Sequence, residues 1–177
     1  MKLKLLALIL ALQCAWILGT TFQQERALRV GNVILLETAP VDPRDLLRGD
    51  YVILNYKIST LPRRIFNSLP DESLTPGRKV YVALEQTGDF HTAVRADTVP
   101  FEAGAGQVLV VGQVRSRAWG GASSVRVDYG LERYYVTEGT GTPTGKLTVQ
   151  ASVSKSGHAI IKQVFIDGKP YAEVMKR

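Results

Sequence analysis

The chain begins MKLKLLALILALQCAWILGTTF: two lysines, then an apolar run from Leu5 to Leu18 that weakens through Gly19 to Phe22. Counted to Phe22, the run is about 18 residues, or about 27 Å of helix, just enough to cross a hydrocarbon core. A cleaved signal peptide asks for small residues in A-x-A spacing at its end, and AWILGTTFQQE offers no such pair. A lipoprotein signal wants a small residue before its cysteine, whereas Gln13 precedes Cys14. An uncleaved anchor over residues 1–22 is the better fit. Trp16 and Phe22 suit an aromatic interfacial belt, and Lys2 and Lys4 hold the short N-terminus in the cytoplasm. Residues 23–177 then form an extracytoplasmic domain.

That remainder has the composition of a folded domain. Over the full 177 residues, 45% are hydrophobic and 21% charged. The net charge is +6, two of it from Lys2 and Lys4, and no run of Lys and Arg with interleaved aromatics occurs. Nucleic acid is therefore not an expected partner. The single cysteine, Cys14, lies in the apolar run, so no disulfide or CxxC metal site can be proposed and stability must come from packing.

After QQERALRVGN, a helical extension and turn, alternation with period two takes over. VILLET (33–38), YVILNYKI (51–58), KVYVALEQ (79–86), HTAVRADTV (91–99), QVLVVGQVRS (107–116), SVRVDYG, LERYYV, KLTVQASVS and HAIIKQVFIDG all read as strands, separated by Gly, Pro and Asp turns. Gly88 in TGDF supplies the positive φ of a hairpin. The expected fold is all-β, a barrel or sandwich of roughly eight to ten short strands behind an N-terminal transmembrane helix. Two segments, 59–78 and 138–146, read as long loops, the first with an apolar centre at Ile65 and Phe66.

The densest local grammar is VDPRDLLRGDYVILNYKI. Asp42 fits an N-cap, Pro43 the first helical position and Asp45 the first turn, where the helix dipole favours a carboxylate. Gly49 fits the left-handed residue that ends the helix. From Val52 the alternation assigns Val52, Leu54, Tyr56 and Ile58 to a core face, with Tyr51, Ile53, Asn55 and Lys57 opposite. Arg44 and Arg48 either neutralise Asp42, Asp45 or Asp50 or present cations to an anion. Tyr51 either caps a sheet edge or contacts a ligand, and Asp50 fits an Asx-turn.

GDYVILNY also matches the pattern G-D-Y-x-x-L-x-Y at Gly49, Asp50, Tyr51, Leu54 and Tyr56. With TAPVDPRDLLRG upstream, GLERYYVTEGTG and the closing GHAIIKQVFIDGKP, the chain resembles the GDYXXLXY proteins over nearly its whole length. The resemblance implies a membrane-anchored bacterial protein, single-pass in the cytoplasmic (inner) membrane, with a polytopic membrane protein as the expected class of partner. It implies no particular chemistry and no cofactor.

LLRGDYV is similar, too, to the Gly-Asp that begins a strand in signal-peptidase-like proteases. Those enzymes need a serine shortly upstream and a lysine base, and ETAPVDPRDLL offers Thr38 and no serine, so Lys57 and Lys79 read as surface lysines. His91 and His158 share no metal-ligand spacing, and no metal is expected. Glu132 and Glu138 either bind a cation or basic peptide, act as an acid/base pair, or, for Glu132, pair with Arg126 or Arg133 on a sheet surface. The candidate binding set is Arg48, Asp50, Tyr51, Glu132 and Glu138. The expected function is a non-enzymatic binding or accessory module for a membrane or envelope partner. The alternative is an envelope hydrolase or transferase assembled from Asp50, Tyr51, Glu132 and Glu138.

Overall fold

The computed structural model describes residues 2–39, 51–66, 73–117, 124–136 and 145–175. A single helix, α1 (Lys2–Val30), carries the apolar run and continues past it. Its window Lys4–Phe22 has a mean hydropathy of 2.0 and is not buried among the described residues. Only Gly31 separates the helix from strand β1 (Asn32–Glu37).

The rest is β structure in three sheets. β1 pairs antiparallel with β9 (Leu147–Val153), which pairs with β10 (Ala159–Ile166), whose end pairs with β11 (Lys169–Pro170). A second sheet has the order β3 (Thr60–Pro62), β7 (Ser124–Asp128), β6 (Gln107–Arg117), β4 (Lys79–Thr87), β5 (Phe90–Asp97). The third is a short ribbon of β2 (Tyr51–Ile53) with β8 (Arg133–Tyr135), and a one-turn helix α2 (Tyr171–Val174) follows β11. The arrangement is sandwich-like and not a closed barrel, which decides between the two expected architectures.

One apolar core joins the sheets. Ile34 and Leu36 of β1 and Val149 and Ala151 of β9 meet Val80, Val82 and Leu84 of β4, Val110 of β6 and Val127 of β7, all fully buried. The residues alternate because successive strand side chains point to opposite faces. Where the two larger sheets come together at β1 and β5, a side chain replaces the backbone ladder: the Leu35 N–H donates to His91 Nδ1 at 3.3 Å. On the other flank the Val111 N–H donates to the Gly157 carbonyl in the β9–β10 turn at 2.8 Å.

The alternation expected from Val52 holds. Val52, Leu54, Tyr56 and Ile58 are buried and Tyr51, Ile53 and Asn55 are half-buried, with Lys57 exposed. The ladder itself is shorter than the sequence suggested. It stops at Ile53, resumes as a single bridge between Thr38 and Tyr56, and gives way to a 3-10 turn at Lys57–Ser59.

Segment 59–78, read from sequence as a loop, contains β3 and two buried anchors. Phe66 bridges to Ala96 in parallel, and Leu74 is fully buried. β10 carries a bulge at Lys162 where its register against β9 slips between Ile161 and Gln163. On its far side, among the described residues, only Phe165 and Ile166 have a strand partner. The expected helix over Asp42, Pro43 and Asp45 and its stop at Gly49 lie outside the described residues.

Candidate functional site

Two buried tyrosines explain the described part of the motif. Tyr56 donates its hydroxyl to the Leu131 carbonyl at 2.6 Å, and Tyr129 donates to the Ile58 carbonyl at 2.9 Å. The two bonds run in opposite senses between segments 56–58 and 129–131, bolting them together. Burial, then the charge of Glu132, pushes both phenols well above the ordinary value of 10, so they remain donors at any physiological pH. Leu54 fills the core, and its N–H donates to the Glu132 carbonyl at 2.8 Å. The carboxylate of Glu132 accepts the Tyr129 N–H at 2.6 Å, closing the turn that contains Gly130 at φ 80°. Glu132 therefore serves backbone, rather than Arg126 or Arg133 as the surface reading had it.

Tyr51 stands opposite Tyr135 in the β2–β8 ribbon. Their ring centroids are 5.9 Å apart, and the Arg133 guanidinium lies 5.6 Å from the Tyr51 ring centroid. The ring pair is open to solvent on one side, where Tyr135 is 70% exposed. Arg48, Asp50 and Glu138 lie outside the described residues. Of the five candidates, the structure thus brings Tyr51 and Glu132 onto neighbouring segments, but their side chains have separate partners.

A concave site formed by described residues lies elsewhere. A cleft of about 370 Å³ lies between the end of β1 (Glu37, Thr38, Ala39), the stretch Ile53–Lys57 and the approach to β9 (Gly145, Lys146, Leu147). Its floor is tied by the Ala39 N–H to the Asn55 carbonyl at 2.8 Å and by the Thr38 hydroxyl to the Leu147 carbonyl at 2.6 Å. The chain leaves this rim at Ala39 towards the 40–50 segment and rejoins it at Gly145 after 137–144.

Glu37 sits at the centre of the charge. Lys57 Nζ is 2.6 Å from one carboxylate oxygen and Lys146 Nζ is 2.6 Å from the other. The Glu37 side chain is 17% exposed, against 61% and 57% for the two lysines. The bonds from Lys146 and then Lys57 hold its carboxyl below the ordinary value of 4.5 although burial pulls the other way, so Glu37 is ionised at neutral pH.

Lys146 is itself fixed from two sides. Its ammonium lies 5.2 Å from the Phe90 ring centroid, its N–H donates to Asp167 Oδ1 at 2.9 Å, and its carbonyl accepts the Asp167 N–H at 3.0 Å. A smaller cleft of about 170 Å³ shares Glu37 and Lys57 with the first and reaches Phe90 and His91. Burial lowers the His91 pKa below 6.5, and its Nδ1 lone pair is used by Leu35, so the proton of the neutral ring is on Nε2.

No sequence pattern selects Glu37, Asn55 or Lys146, and Lys57 reads there as a surface lysine. Each is an ordinary outward position on a strand or its flank. Only the register of β1 against β9, which places Glu37 opposite Thr148, brings Lys146 alongside.

A family model described as GDYXXLXY protein matches residues 13–164, a span that includes Glu37, Lys57 and Lys146. No curated protein and no solved structure matches the chain.

Proposed function

Since the chain belongs to the GDYXXLXY family, we propose that it is a single-pass membrane-anchored binding or accessory module, its β domain outside the bacterial cytoplasmic membrane and its partner a membrane protein or envelope component. The observation that carries this reading is the junction of α1 with the sheet. Leucines and isoleucines are exposed all along the Lys4–Phe22 window, at 60% for Leu10, 70% for Leu12 and 61% for Ile17. A helix apolar on every side belongs in lipid unless protein covers it. Lys2 and Lys4 favour retention of the N-terminus in the cytoplasm, which sends the β domain to the other side.

Beyond Phe22 the helix runs on to Val30, about 12 Å further, and a single residue then leads into β1. Such a short, stiff stalk suits a module that acts close to the bilayer. The cleft at Glu37, Lys57 and Lys146 offers it a recognition site. Of the hydrolase or transferase set, Asp50, Tyr51, Glu132 and Glu138, Glu132 already accepts the Tyr129 N–H and Tyr51 packs on Tyr135.

Two measurements test the proposal. A phosphatase fused at the C-terminus, active only outside the cytoplasm, should be active, and a cytoplasmic-only fluorescent fusion should be dark. The full-length protein, cross-linked in membranes and recovered in detergent, should bring down a defined membrane or envelope partner. Recovery of none, together with turnover of an envelope substrate by the protein, would reject the module reading.

A further inference from the structure

The charges, walls and size of the cleft restrict what it can take. The described residues that line it include one acid, Glu37, and two ammonium groups, Lys57 and Lys146, which together contribute a net charge of +1. Each ammonium has three N–H donors. Lys57 and Lys146 each give one to Glu37, and with side chains 61% and 57% exposed they keep others directed to solvent. The carboxylate holds the two lysines on opposite oxygens, which removes much of the side-chain freedom that binding would otherwise have to freeze. Beside the cations stand apolar groups, Ala39, Ile53 and Leu147, and one amide, Asn55. A volume of about 370 Å³ falls at the small end of ligand pockets.

We propose that the cleft between Glu37, Lys57 and Lys146 binds the carboxylate of an organic acid with a short apolar portion, of the chemical type of a peptide C-terminus. The carboxylate bridges the free donors of the two lysines, the apolar portion lies on Ile53 and Leu147, and the Asn55 amide meets the adjoining peptide group. A monoanion neutralises the site, whereas a phosphate dianion overshoots it beside the fixed negative charge of Glu37. A cation meets two ammonium groups and is repelled. The proposal rests on the module reading above and names what the module recognises.

The test uses the full chain in zwitterionic nanodiscs with ¹³C-labelled Ile and Leu methyl groups. N-acetyl-alanyl-alanine and its C-terminal amide are titrated in parallel. The acid should shift Ile53 and Leu147 saturably and the amide should not, a comparison that needs no variant. Affinity should fall at about 1 M salt, where the Debye length is about 3 Å. Lys57→Met should weaken the acid by roughly ten-fold, as loss of a charge-assisted bond requires, and Lys57→Arg should restore most of it.

Equal shifts from acid and amide would overturn the proposal. So would inorganic phosphate competing more strongly than the acid, or an unchanged affinity in Lys57→Met. Capture of a membrane partner through a photo-cross-linker at Asn55 without acid-over-amide discrimination would leave the module reading standing and sink the ligand class. Discrimination by a protein that captures no partner and turns over an envelope substrate would do the reverse.

Discussion

Removing the Tyr56 hydroxyl, by Tyr56→Phe, isolates one bond of the tyrosine pair while leaving the ring in the core. The bond is short, at 2.6 Å, Tyr56 is 2% exposed and Leu131 is 1% exposed, so water cannot replace the lost donor at the Leu131 carbonyl. A buried acceptor left without its partner costs about 1–3 kcal/mol. For a chain of this size each kcal/mol moves the melting temperature by about 2–4 °C, so thermal denaturation of the full chain in detergent, followed by circular dichroism, should shift down by about 2–12 °C. Tyr129→Phe should behave alike, because its 2.9 Å bond to Ile58 is equally enclosed.

The double variant carries the sharper prediction. Both hydroxyls join segments 56–58 and 129–131, so once one bolt is gone the second holds a pair already loosened. The cycle should show a coupling of at least about 0.5 kcal/mol, the threshold for residues acting through one shared element. Additive losses would mean that the two segments are held by packing alone. A Tyr56→Phe variant as stable as the parent would refute the reasoning altogether.

Glu37→Gln should reduce stability at pH 7 by about 1 kcal/mol or less, the range for exposed or partly exposed ion pairs. Because the folded carboxyl lies below 4.5, that contribution is present above the unfolded value and lost as pH falls through the folded one, so parent and variant should converge in acid denaturation profiles once the pH has passed below the folded value. Gly112→Ala should destabilise by about 1–3 kcal/mol, since a Cβ there would stand 2.5 Å from Val127 Cγ1 and 2.9 Å from the Asp128 carbonyl; urea midpoints check it. His91 has a folded pKa depressed below 6.5, so its contribution is present above pH 6.5 and fades as pH falls through the folded value. The Leu35 amide resonance should titrate with His91 in NMR spectra, and a Leu35 shift that ignores the ring's protonation would remove the seam bond from the account.

What could be read from the sequence was whatever is encoded at short range. Val52, Leu54, Tyr56 and Ile58 needed only a period of two, and Gly88, at φ 64°, needed only its turn. β3 escaped because three residues ending in proline make no pattern of their own, and it becomes a strand only by pairing Leu61 with Val125. The ion triad escaped for the same reason at longer range, Lys146 being brought to Glu37 by the β1–β9 register. Tyr129 looked like the end of a strand until its hydroxyl found Ile58. Of the motif, Leu54 and Tyr56 are core residues that tie into segment 129–132, and Tyr51 packs on Tyr135 across the β2–β8 ribbon.

The bulge at Lys162 matters more for a tethered protein than for a free one. Confinement to a plane crowds copies side by side, and an unpaired strand margin invites them to zip into a continuous sheet. A bulged residue bends that margin out of register with its twin, and a lysine there brings like charges together when two copies meet. Straightening β10 by deleting Lys162 should therefore favour edge-to-edge association of copies.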